Sequence, residues 1–304
     1  MDKHTENQGR LSPLMALRLA APHTWAASVI PALLGTALAA ASGISIHSGM
    51  PLCLTAVCVF MQSAVNTFND YSDFIKGTDS LENSPDPTDA VLLYDRPAPK
   101  HVLALGFVYL LVAAAAGIPA VLCAGWRPLV IGIAGAAAVL CYSFGKAPLS
   151  YLPLGELCSG FVMGGLIPLA VYGVLTGSYT PRTLLFSLPV MLGIALIMST
   201  NNGCDICRDT AAGRKTFPVL LGQEKFGKAY RLAMALWLAL PFPLLFFGPG
   251  RPLVYFLALL PSLGHFAVQF RLALDQEHRG QAMSGIVSLN VMLGLGYIAA
   301  LLLH

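Results

Sequence analysis

The chain has 304 residues, 56% of them hydrophobic and only 11% charged, with a mean hydropathy of +0.69. A soluble domain carries about 25% charged residues, so this composition excludes an ordinary globular domain. The formal net charge of +3 is too small and too polarised for nucleic-acid binding.

Runs of roughly 17–25 mostly apolar residues, long enough to cross about 30 Å of hydrocarbon as helices, recur along the chain. Backbone groups in lipid must pair internally, so helices are the simplest spanning form. The expected spans lie near 19–42, 51–68, 102–123, 127–144, 153–176, 182–201, 231–248, 252–270 and 284–303, about nine helices in one all-α membrane bundle. The first span exceeds the roughly 7–15 apolar residues of a cleaved signal and is read as a retained helix. One transmembrane domain over 1–304 is expected, with a cytoplasmic N-terminal segment at 1–18 and cytoplasmic loops at 70–101 and 202–228.

Orientation follows from the basic residues. With the N-terminus inside, all of the 18 Lys and Arg except Arg127, Arg182 and Arg251 fall on the cytoplasmic side, and His304 lies outside. All the acids fall on the cytoplasmic side too. Acids contribute little to topology, so their placement is separate information and points to chemistry at that face.

The two polar insertions follow the second and sixth helices, a pattern of four helices, four helices and one that suggests a parallel internal repeat. A central cavity between the halves would open to the cytoplasm. The first insertion contains NTFNDYSDFIKGTD. In a helix, Asn66, Asn69, Asp70 and Asp73 share one face at steps of three or four residues, and Asp79 follows. The second reads NNGCDICRDTAAGRKT, with Asn201, Asp205 and Asp209 at successive i+4 steps and Asn202 alongside. Gly77 and Gly213 sit just past the acidic turns, where a left-handed residue commonly closes a helix.

Carboxylates gathered beside hydrocarbon repel one another and lose hydration, so they require a cation. Hard oxygen ligands favour Mg²⁺ or Ca²⁺ over zinc. Mg²⁺ keeps waters and uses few carboxylates plus substrate phosphates, which fits two sets facing one diphosphate. Lys76, Lys146, Arg208, Arg214 and Lys215 can share the phosphate charge. The later loop acids Glu82, Asp86, Asp89 and Asp95 read as a solvated face, and His23, His101 and His265 as packing or interfacial residues. Trp25, Trp126 and Trp237 suit an aromatic belt. The Cys204, Cys207 pair lacks the partners of a zinc site, and the other five of the 7 cysteines behave as small hydrophobes. Glu156 lies in the first turn of the fifth span, where it either complements the helix dipole or orients a substrate.

At these residues the chain resembles the UbiA-type intramembrane prenyltransferases, and within them the 1,4-dihydroxy-2-naphthoate branch. The resemblance rests on the Asn69 to Asp73 motif with KGTD ending at Asp79, on Asn201 through Asp209, on YSFG at Tyr142, on LGE at Glu156, and on Gly213, Arg214, Lys215, Thr216 followed by Leu221 and Gly222. It implies that Asn69, Asp70, Asp73 and Asp79 hold one Mg²⁺ and the diphosphate, and that Asn202, Asp205 and Asp209 hold another. By the same resemblance Lys146, Arg214 and Lys215 contact phosphate, and Tyr142 and Glu156 lie near an aromatic acceptor; Asn66 and Asn201, which share the acidic helix faces, are expected to line the substrate site. Two positions depart from the branch: Cys204 stands where an Arg is common, and Thr210 where a base is usual, with Arg208 as the substitute.

The implied reaction is Mg²⁺-dependent transfer of a polyprenyl group from an allylic diphosphate to an aromatic acceptor, with loss of the acceptor's carboxylate if it is dihydroxynaphthoate. The expected setting is a bacterial plasma membrane, with lipid around the chain. Hydroxybenzoate, haem or another lipid is an alternative acceptor. A secondary transporter is the rival from another class, although its acids would sit at the bilayer midplane.

Overall fold

A computed structural model describes residues 9–46, 49–79 and 90–303. Glu82, Asp86, Asp89 and His304 lie outside them. The described residues are helical, with one isolated bridge between Gly9 and Pro97. In chain order the helices are α1 (Pro13–Leu19), α2 (Ala26–Ala41), α3 (Met50–Lys76), α4 (Val91–Tyr94), α5 (Pro99–Ala124) and α6 (Arg127–Ser143). They continue as α7 (Gly155–Thr176), α8 (Pro181–Cys204), α9 (Ile206–Ala211), α10 (Phe217–Leu221), α11 (Gln223–Phe246), α12 (Pro252–Arg271) and α13 (Arg279–Leu302).

Seven of these, α3, α5, α7, α8, α11, α12 and α13, are long and apolar enough to cross a membrane. The expected first span is a pair of helical segments, Pro13–Thr24 and Ala26–Ala41, bent by 57°. Its start is set by Ser12, whose Oγ accepts from the Met15 N–H at 3.2 Å, with Pro13 at the first helical position. The expected fourth span is α6, at 17 residues shorter than the rest.

Helix α2 packs against α3, α7 and α13. In lipid, close backbone approach replaces the hydrophobic drive between helices, so small residues mark the seams. Gly164 is one: a Cβ there would lie 2.7 Å from the Met191 backbone nitrogen of α8. The same stretch, Val162–Leu166, forms a π-helical turn inside α7. The largest buried cluster joins α2, α8, α11, α12 and α13 through Leu34, Phe186, Met234, Tyr255, Leu289 and Tyr297. Trp237 lies in that cluster at 3% exposure rather than in an aromatic belt. Its ring faces Gly193, where a side chain would collide with it.

The two acidic motifs end alike. The spacing of Asn66, Asn69, Asp73 and Gly77 recurs in Asn202, Asp205, Asp209 and Gly213. Gly77 (φ 68°) and Gly213 (φ 71°) are both left-handed, as the sequence led one to expect. Past each, an N–H reaches back to the motif's last acid: Thr78 to the Asp73 carbonyl at 2.9 Å and Arg214 to the Asp209 carbonyl at 2.8 Å. The difference lies upstream. Helix α3 runs unbroken through Asp73, whereas α8 stops at Cys204 and Asp205 (φ −102°, ψ 14°) turns the chain into α9. The expected continuous face from Asn201 to Asp209 is therefore interrupted, although the Asp209 N–H still bonds the Asp205 carbonyl at 2.8 Å.

Candidate active site

The polar ends of α3 and α8, the turn after α9, the 144–154 connection and the start of α13 meet at one end of the bundle. Asp73 is buried at 6% exposure and accepts from Asn69 Nδ2 at 3.3 Å. Arg214 pairs with Asp73 and, at 3.5 Å, with Asp209. Arg208 pairs with Asp79. Both ion-pair sets cross from one motif to the other, so segments far apart in sequence form one charged cluster.

Asp209 also accepts from Thr216 Oγ1 at 3.2 Å. Burial pushes its carboxyl up to about 6, against the pull of Arg214 and with help from the negative charge of Asp205. Burial opposes the charge on Arg214, but Asp73 and Asp209 outweigh it and raise its pKa above the ordinary arginine value. Arg214 is therefore a permanent cation between two acids.

Asp205 accepts from Gln276 and, at 3.4 Å, from Arg279. Arg279 also donates to Asn201 Oδ1 at 2.8 Å. Sequence reasoning counted Arg279 only toward topology and passed over Gln276. A signal was present: Arg279 opens α13, and the positive end of a helix dipole disfavours a cation that has no acid to answer it.

Glu156 is 4% exposed and accepts from Asn202 Nδ2 at 2.9 Å. No side chain caps α7. Glu156 thus bonds across to α8 from the first turn of α7, and its second oxygen, Oε2, is buried with no hydrogen-bond partner. Tyr142 lies within electrostatic reach of Arg214, Glu156, Asp73 and Asp209.

Two expected members, Asn66 and Asp70, bond away from the cluster. Asn66 donates to the Ala20 carbonyl at 3.0 Å and to Thr24 Oγ1 at 2.9 Å, tying α3 to the bent entry of α2. Asp70 accepts from the Val91 N–H at 3.2 Å and so anchors the start of α4. The Lys146 and Lys215 side chains are exposed, and Lys215 joins the site through its backbone, donating to the Tyr151 carbonyl at 2.9 Å. For Asn66 and Asp70 the cause is that helical spacing says which residues share a face, not which neighbour that face meets. Asp95, read as solvated, instead pairs with Arg18 at 2.5 Å.

Among the described residues, no three His, Cys, Asp or Glu side chains are grouped as a metal cage. Asn69, Asp73 and Asp79 on one side and Asn202, Asp205 and Asp209 on the other present hard oxygens in two sets around the arginines. Such sets can hold a divalent cation that takes few carboxylates and completes its shell with water and substrate oxygens.

Comparison with known proteins agrees with this picture. A profile described as UbiA prenyltransferase family matches residues 28–294. The 1,4-dihydroxy-2-naphthoate octaprenyltransferase of Bacillus subtilis (strain 168) is 30% identical over 230 residues, covering 74% of this chain and 73% of that protein. The UbiA prenyltransferase domain-containing protein 1 of Homo sapiens is 29% identical over 304 residues, covering 96% and 83%. Among solved structures, a UbiA homolog from Aeropyrum pernix K1 superposes with a TM-score of 0.67 at 17% identity, over 92% of this chain and 97% of that one. A UbiA homolog from Archaeoglobus fulgidus bound to GPP and Mg²⁺ gives 0.64 at 16%, over 94% and 99%. With its apolar helices and paired acidic motifs, this chain belongs to the UbiA prenyltransferase family and is an integral membrane prenyltransferase.

Proposed function

We propose that the chain transfers a polyprenyl group from an allylic diphosphate to 1,4-dihydroxy-2-naphthoate in a Mg²⁺-dependent reaction. The observation that carries this reading is the sharing of Arg214 by Asp73 and Asp209, which supports one leaving-group site built from both motifs. The Bacillus relative, named for that acceptor, supports the choice of ring.

In this reading Asn69, Asp73, Asp79, Asn202, Asp205 and Asp209 hold Mg²⁺. They fit it, being hard oxygen donors gathered in two sets beside arginine, amide and hydroxyl partners. When bound, Mg²⁺ supplies positive charge to the departing diphosphate. Arg208, Arg214 and Lys76 exchange their bonds for phosphate oxygens as charge develops on them. Glu156, held by Asn202, and Tyr142 orient the acceptor so that an electron-rich ring carbon meets the allylic carbon. The apolar helix walls exclude water, which would otherwise capture the prenyl group. In this reading the seven long helices, the bent pair and the shorter α6 make nine crossings, with the cluster at the cytoplasmic mouth of a cavity between the halves.

The test is a mass-spectrometric assay of membranes given a panel of aromatic acceptors and prenyl diphosphates. A prenylated, decarboxylated naphthoquinol is expected. Product from hydroxybenzoate alone would overturn the acceptor while leaving the reaction class in place.

A further inference from the structure

Tyr151 belongs to the 3₁₀ turn Leu149–Tyr151 in the connection from α6 to α7, and neither the sequence motifs nor the mechanism above uses it. Its surroundings are unusual. The Lys76 Nζ lies 4.7 Å from its ring centroid and the Arg214 guanidinium carbon 4.8 Å from it. One cation comes from the first motif and the other from the turn that follows the second. The phenol oxygen is 3.2 Å from Thr78 Oγ1, and the Tyr151 carbonyl accepts from the Lys215 N–H at 2.9 Å. One residue therefore touches the segment beyond each acidic motif, and its ring faces both cations.

Two like charges around one point repel, and an aromatic face is among the few neutral surfaces that attract both. Lys76 is steadied on its other side by the Ser143 carbonyl at 3.0 Å. An ammonium has three donors, so two contacts fix its position without exhausting it. Arg214 is likewise held by acids while its guanidinium carbon lies over the ring. A carbonyl or carboxylate in place of the ring would hold the cations but would compete with phosphate for their N–H groups. The ring's quadrupole holds them without taking up those donors.

We propose that Tyr151 is a positioning residue whose aromatic face holds Lys76 and Arg214, one cation from each half of the site, at the spacing that grips a diphosphate. This rests on the reading that Arg214 and Lys76 face the leaving group. The ring is the working part, and the hydroxyl serves only the local fold.

The experiment measures binding of inorganic pyrophosphate with Mg²⁺ to the purified full-length protein in detergent by calorimetry, alongside the separate KM values for prenyl diphosphate and acceptor. Tyr151→Phe should bind like wild type, and Tyr151→Leu should bind about tenfold more weakly, the scale of one desolvated cation–π contact. The same change should appear in KM for the diphosphate, with KM for the acceptor unmoved. Should Tyr151→Leu fail to fold, a phenylalanine carrying successive ring fluorines at that position keeps the shape and weakens the quadrupole stepwise. Affinity that falls along that series supports the proposal, because packing alone would not follow ring electronics. A flat series, or equal losses in Tyr151→Phe and Tyr151→Leu, overturns it. Arg214→Gln separates the two ideas: if that variant binds pyrophosphate normally, the leaving-group reading itself fails, whatever Tyr151 does.

Discussion

Removing Arg214 and removing its partner Asp73 should have effects of different size, and combining them should help. Arg214 has 13% of its side chain exposed, Asp73 9% and Asp209 3%. At 3.5 Å, two unit charges in an effective dielectric of about 20 attract by about 5 kcal/mol before desolvation is counted. Arg214→Gln leaves two buried carboxylates without their shared cation, and breaking a buried pair in this way costs about 3–5 kcal/mol. Asp73→Asn leaves Arg214 still paired with Asp209, so its cost should be about 1–3 kcal/mol. In the double variant only Asp209 remains uncompensated. It should therefore be more stable than Arg214→Gln alone, so the coupling between the two positions should exceed the whole cost of Asp73→Asn. The assay is denaturant unfolding of the four proteins in one detergent, followed by circular dichroism. A double variant less stable than Arg214→Gln, or losses that simply add, would refute the shared-cation reasoning.

Glu156→Gln keeps an oxygen for the Asn202 amide while removing a charge, so the fold should survive. The KM or kcat for the aromatic acceptor should worsen by about 10²-fold, while pyrophosphate affinity stays put; a parallel loss of both would show that Glu156 belongs to the diphosphate side. Chelation of membranes should abolish prenyl transfer, and Mg²⁺ should restore it; full turnover after exhaustive chelation would remove metal from the mechanism. Gly164→Ala should destabilise by about 1–3 kcal/mol, since the new methyl would meet the Met191 backbone, which cannot rotate away. Wild-type unfolding of that variant would mean that the α7–α8 seam opens more easily than its spacing suggests. Reporter fusions should find the connection between α3 and α5 on the cytoplasmic side, and an external signal there would reverse the proposed orientation.

The sequence made the membrane bundle legible because lipid imposes a length and a composition on every span, and those are local properties. The ends of the motifs were legible for the same reason: Gly77 and Gly213 follow from helix termination, which a few residues decide. What could not be read was each side chain's partner across the bundle. Asp70 and Asp73 are three residues apart on one helix, yet one caps α4 and the other meets Arg214. The interruption at Asp205 had only a weak local signal, Gly203 and an Asp that can cap the helix after it. Tertiary partners decide it: Gln276 donates to the Cys204 carbonyl at 3.2 Å and also to the Asp205 carboxylate.

The π-helical turn in α7 sets the phase of that helix. Each α-helical residue advances the face by about 100°, and a π turn inserts one residue, so everything beyond it is rotated by roughly that amount. Before the turn, α7 points Glu156 at Asn202 of α8. After it, Pro168 and Val171 lie against Gly35 of α2, where an added Cβ would sit 2.7 Å from the Val171 Cβ. The turn works as a gear between two faces that one straight helix could not serve together. Removing a single residue from 162–166 would leave the hydrophobic length of the span almost unchanged. It would also put the two ends out of phase, so that the helix could satisfy α2 or Asn202, but not both.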